Sequence, residues 1–151
     1  MSLKVYISSS WKRREAVRQL ATLLQNAGFE TFDFTNPEQR THEEIPPERF
    51  PEQFDPAIHV YREYIDRPEW RNAVEENQRW LDWCDVVVLL LPCGLDAHSD
   101  WAYAVGKGKL TVILGHPPAG ERTPTHMWAE QMFESTADLL GWLRQAERVT
   151  Q

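Results

Sequence analysis

Hydrophobic positions along the chain fall into short blocks that switch between two periods. Lys4-Val5-Tyr6-Ile7-Ser8 is β-branched and aromatic and predicts a first strand. From residue 11 to 28, Ala16, Leu20, Leu23 and Leu24 recur at helical spacing, and Gly28 stands where a helix C-terminal glycine belongs. Residues 29–34 predict a second strand. A helical stretch follows over about 58–83, with a break expected near Pro68. The clearest signal is Val86-Val87-Val88-Leu89-Leu90-Leu91, led by Asp85 and closed by Pro92-Cys93-Gly94. A continuous apolar run of this kind reads as a strand buried on both faces, at the centre of a parallel sheet. Residues 96–107 predict a short helix and 110–114 a fourth strong strand. Met132-Phe133 predicts a short edge strand, and about 135–147 a closing helix with Leu139, Leu140 and Leu143 inward.

Strands alternating with helices predict an α/β, Rossmann/flavodoxin-like fold. It has three layers, a mostly parallel sheet of about five strands and right-handed crossovers. One domain spans 1–151. Its exception is residues 35–58, which hold Pro37, Pro46, Pro47, Pro51 and Pro56 among many charges. A connection this long and aperiodic reads as a lid or binding loop, or as a plain insertion. Ligands of such folds sit at the carboxyl ends of the strands, near the point where strand order reverses. That rule points to residues 8–11, 33–35, 92–100 and the loop from Gly115 onward.

Composition narrows the function classes. Of 151 residues, 42% are hydrophobic, enough for a real core. The net charge of −7 argues against gripping a nucleic-acid backbone. It leaves room for a small anionic ligand, which needs only a few aimed N–H groups and a cation or two. The two cysteines, Cys84 and Cys93, read as buried thiols of a reducing compartment. They are too few for a disulfide framework or a metal cluster, so no metal and no cofactor are expected. The N-terminus lacks a signal-peptide pattern, and the longest apolar run is too short to span a bilayer. A cytoplasmic protein with neither membrane nor nucleic-acid partner is the expectation.

Two loops carry candidate chemistry. Ser8-Ser9-Ser10-Trp11 joins a strand to a helix N-terminus, where N–H groups, hydroxyls and the helix dipole suit an anion or a sugar hydroxyl. One serine is expected to cap the helix. The loop is neither a Walker loop nor a G-x-G-x-x-G fingerprint, which excludes NAD or FAD bound in the usual way. In the second loop, 92–100, Gly94 lets the backbone turn close to a ligand. Asp96 reads as a helix N-cap. Asp100 reads as a favourable first-turn charge or a reactive carboxylate, and His98 as a structural histidine or a ligand contact. Of the seven tryptophans, Trp80, Trp83 and Trp142 lie on apolar helix faces, whereas Trp11, like Tyr6, flanks the predicted pocket.

The run Pro92-Cys93-Gly94-x-x-Ala97-His98-x-Asp100-x-x-x-Ala104-x-Gly106-x-Gly108-Lys109 resembles the nucleoside 2-deoxyribosyltransferase-like family. So do residues 5–11 and the Trp83-Cys84-Asp85 lead into the central strand. The resemblance implies cleavage of the N-glycosidic bond of a (deoxy)nucleoside or its 5′-monophosphate, with the sugar passing to another base or to water. It implies a small-molecule nucleoside or nucleotide as partner and a homodimer or larger homo-oligomer. It places the family's nucleophilic carboxylate at Asp100, where the family usually has Glu. A family Asp eight positions before Asp85 corresponds to Asn77, which cannot deliver a proton. The expected catalytic set is Asp100, Asn77 and Tyr6; the expected binding set is Ser8, Ser9, Ser10, Trp11, Asp33, Gly94 and His98. The alternatives are a nucleotide-binding or sensing module that kept the pocket without the chemistry, and a structural interaction protein.

Overall fold

The computed structural model describes residues 2–40 and 54–150. Five strands, β1 (Lys4–Ser8), β2 (Glu30–Phe32), β3 (Val86–Leu90), β4 (Leu110–Leu114) and β5 (Gln131–Phe133), form one sheet in the order β2-β1-β3-β4-β5. Every pairing is parallel. This is the flavodoxin-like order, with the reversal between β1 and β3. The expected fold class is therefore observed. The β3 residues are all buried, as a strand covered on both faces requires.

Among the described residues there are five α-helices: α1 (Arg14–Asn26), α2 (Tyr61–Ile65), α3 (Pro68–Trp83), α4 (Leu95–Gly106) and α5 (Thr136–Thr150). The β1-to-β2 connection runs opposite in direction to the later crossovers. Right-handedness then places α1 on one face, and α3 and α4, packed together, on the other. Alternation along β1 follows. Tyr6 and Ser8 reach the α3–α4 side, where Tyr6 packs on Phe32 and Phe32 stacks on Trp80 at 4.5 Å. The expected helix over 58–83 is broken where anticipated: α3 starts at Pro68, whose ring suits a first helical turn. The second strand is shorter than expected, because Asp33 and Thr35 turn the chain (below).

Helix ends obey local rules. Past α1, Gly28 N–H donates to Gln25 O and Phe29 N–H to Leu24 O, the paired bonds that close a helix on a glycine. Gly108 and Lys109 close α4 in the same way, on Val105 O and Ala104 O. The Lys109 ammonium donates to Asp82 O and Cys84 O at 2.8 and 2.7 Å, clamping the end of α3 to the start of β3. Both cysteines are buried and free. Burial first, and nearby carboxylates after it, push the Cys84 thiol up to about 12 against the pull of Lys109. No helix among the described residues is long and apolar enough to cross a membrane.

Candidate functional site

Ser8-Ser9-Ser10 lies at the reversal point, and each hydroxyl has a backbone partner. Ser8 donates to Ala97 O in α4 at 3.0 Å, and Ser9 to Leu90 O at the end of β3 at 2.9 Å. Ser10 accepts from Lys12 N–H and caps a 3-10 turn, Trp11–Arg13, that runs into α1. The serines thus knit the crevice between β1, β3 and α4. Trp11 packs against Phe34 with the Arg14 guanidinium over its ring. Asp33 is buried and accepts from both the Thr35 N–H and hydroxyl, at 2.8 and 2.6 Å, a local turn that ends β2.

One polar cluster forms on the α3–α4 side of β1. The Tyr6 hydroxyl, on a side chain only 1% exposed, donates to Asp100 Oδ2 at 3.0 Å. Burial, reinforced by the Asp100 charge, pushes the Tyr6 pKa well up, so the phenol remains a hydrogen-bond donor. The positive charge of Arg40 opposes this shift. Arg40 also donates to Asn77 Oδ1 in α3, at a long 3.4 Å. Of the expected catalytic set, Tyr6 and Asp100 are hydrogen-bonded to each other, while Asn77 accepts from Arg40, an arginine that the sequence did not single out. Glu76, one residue before Asn77, is 2% exposed, a carboxylate on the inner face of α3.

The second cluster surrounds the N-terminus of α4. Gly94 caps the helix at φ +113°, a conformation that favours glycine, so Asp96 sits one residue into the helix rather than at its cap. The Cys93 and Gly94 N–H groups both donate to Glu121 Oε1, at 2.7 and 2.6 Å. Burial works to raise the Glu121 pKa, but these two bonds and the Cys93 thiol bring it below its ordinary value. His98 Nδ1 lies 2.7 Å from Gly94 O and 3.3 Å from Cys93 Sγ. Its Nε2 lies 2.8 Å from His126 Nε2, and the two rings stack. Burial chiefly lowers the His126 pKa.

A cavity of about 450 Å³ opens at the carboxyl ends of β4 and β5, lined by Leu91, Gly115, Arg122, His126, Met132 and Phe133 among others. Neither Tyr6 nor Asp100 lines it. Shape alone would place a ligand beside the second cluster, whereas the aimed carboxylate belongs to the first. Glu121 and His126 come from a turn-rich loop with no periodicity, and Arg40 from the charged proline-rich segment. Nothing in their local sequence sets them apart from solvated neighbours.

The chain matches no protein-family model and no curated protein. Several solved structures share its fold. A 2-deoxyribosyltransferase from Bacillus psychrosaccharolyticus superposes with a TM-score of 0.58 at 18% identity, over 91% of this chain and 90% of that one. A conserved protein from Enterococcus faecalis V583 gives 0.60 at 12% identity, over 97% and 99%. The CMP N-glycosidase of Clostridium botulinum gives 0.51 at 14% identity, over 95% and 98%.

Proposed function

We propose that the chain cleaves the N-glycosidic bond of a (deoxy)nucleoside or nucleoside 5′-monophosphate, passing the sugar to another base or to water. The observation that carries this reading is the Tyr6–Asp100 hydrogen bond. A tyrosine fixed in the middle of a central strand holds one oxygen of a half-buried carboxylate in place. A carboxylate so held can attack C1′ as the base departs with the bonding pair, forming a C1′–O bond that water or a second base then breaks. Asn77 can hydrogen-bond base or sugar but has no proton to give, so the departing base takes its proton from solvent. Two of the similar folds are named for such activities, one a deoxyribosyltransferase and one a CMP N-glycosidase.

The other candidate residues take lesser roles. Ser8 and Ser9 shape the crevice through α4 and β3, Trp11 offers a ring face, and Gly94 and His98 set the start of the helix that carries Asp100. A homodimer or larger assembly belongs to the same reading, and light scattering tests it. The activity is tested by incubating the protein with a panel of nucleosides and 5′-monophosphates, with and without a free acceptor base, and separating products by chromatography. Base release that disappears in Asp100→Asn is the expected result. Asn77 favours a second reading, a nucleotide-binding module. A thermal upshift with a nucleotide but no base release from any substrate would select it.

A further inference from the structure

The strongest feature outside the Tyr6–Asp100 cluster is the meeting of Cys93, His98 and Glu121. Their potential ligand atoms all lie within 4.8 Å of one another. Cys93 Sγ to His98 Nδ1 is 3.3 Å, and His98 Nδ1 to Glu121 Oε1 is 4.0 Å. A zinc ion about 2.3 Å from sulfur and about 2.0–2.2 Å from nitrogen and oxygen spaces tetrahedral ligands by roughly 3–4 Å. Two of the three pairs are at that spacing already, and the third lies within 4.8 Å. The three come from separate places: Cys93 from the turn after β3, His98 from the first turn of α4, and Glu121 from the loop after β4.

We propose that Cys93, His98 and Glu121 form a binding site for a thiophilic divalent cation of the zinc type. The ligand chemistry balances. Thiolate and carboxylate together neutralise the dication, and both negative groups lie at the N-terminus of α4, where negative charge is favoured. On binding, Cys93 Sγ exchanges its proton for the metal and the proton passes to solvent. His98 Nδ1 gives up its hydrogen bond to Gly94 O, and the ring proton moves to Nε2. That nitrogen faces His126 Nε2 at 2.8 Å; with the His126 proton shifted in turn to its own Nδ1, His126 Nε2 accepts from it and orients the metal-bound ring. Three protein ligands leave a fourth position for solvent or a small ligand. His126 also lines the cavity, so the ion would tie the cavity wall to α4. This inference is independent of the glycosidase reading.

The test uses the whole chain, purified with chelator and titrated with cobalt(II) and then zinc. The expected result is a thiolate-to-cobalt charge-transfer band that zinc abolishes, present in the native chain and in Cys84→Ser but absent in Cys93→Ser. His126→Phe, which removes only the orienting acceptor, is expected to weaken zinc binding roughly tenfold to a hundredfold. Should Cys93→Ser fail to fold, the thermal midpoint decides: zinc raises it in the native chain and not in His98→Ala. No charge-transfer band in the native chain, a band that survives in Cys93→Ser, or a zinc upshift undiminished in His98→Ala overturns the proposal.

Discussion

Helix α4 carries a polar cluster on each of two sides, and they are built in opposite ways. Asp100 and His98 are two residues apart, which on a helix turns them to different faces. The Asp100 side meets a strand-centre tyrosine, so its geometry is fixed by regular elements packed through the core. The His98 side meets Glu121 and His126, which arrive on a loop after β4. Regular elements hold a group to within a fraction of an ångström, while loops hold it only as well as their own hydrogen bonds do. Here those bonds are the two that Glu121 accepts from the turn before α4. The first cluster suits a fixed carboxylate. The second suits a ligand that supplies its own cohesion.

Substitutions should separate the two sides. The largest effect is expected from Asp100→Asn, which removes the charge that attacks or stabilises C1′. Base release should fall by roughly a thousandfold or more, with cobalt binding at Cys93 unchanged. Loss of both would mean that the clusters act as one.

Tyr6→Phe should come next. A hydrogen bond to a charged group is worth about 1.5–3 kcal/mol, so turnover should drop roughly tenfold to a hundredfold in single-turnover kinetics. It also has a pH signature. The folded protein holds Tyr6 protonated above its ordinary value of 10.0, whereas the unfolded chain does not. The stability it confers is therefore full below that value and lost as pH rises past it. Denaturant titrations above about pH 10 should show native stability falling more steeply than that of Tyr6→Phe.

Gly115→Ala probes the loop side. A Cβ there would lie 2.8 Å from Leu91 O, at φ +100°. A cost of about 1–3 kcal/mol is expected in denaturant unfolding. Because Gly115 begins the loop that delivers Glu121, zinc affinity should suffer more than base release. The smallest effect is expected from Ser10→Ala, which removes one cap for about 1 kcal/mol and should leave both clusters intact. A loss of turnover there would give Ser10 a ligand contact beyond its cap.

Much of this was legible along the chain. The apolar run at β3, the period change into α1 and the glycines that end α1 and α4 are local signals, and these elements formed within about three residues of their expected places. The break before Pro68 and the short edge strand β5 followed from the same signals. Tyr6, Asn77 and Asp100 were legible as a group only through a resemblance of motifs. The link from Tyr6 to Asp100 spans 94 residues. Asp33 and the three serines were expected as pocket-loop residues; their hydrogen bonds to neighbouring backbone were not legible. The expected lid falls partly on residues 41–53, outside the described residues. Its first part, from Thr35 to Arg40, folds back on β2, with the Gln39 side chain bonded to Asp33 N–H and Thr31 O.

By itself, the sequence determined the order of strands and helices along the chain and the centre of the sheet. It could do so because hydrophobic period and helix-ending glycines act over a few residues. The tertiary structure alone decided that Arg40 reaches Asn77, that Glu76 is buried, and that Glu121 and His126 converge on Cys93 and His98. Those contacts depend on where loops land once the sheet has closed, and no short-range pattern encodes that.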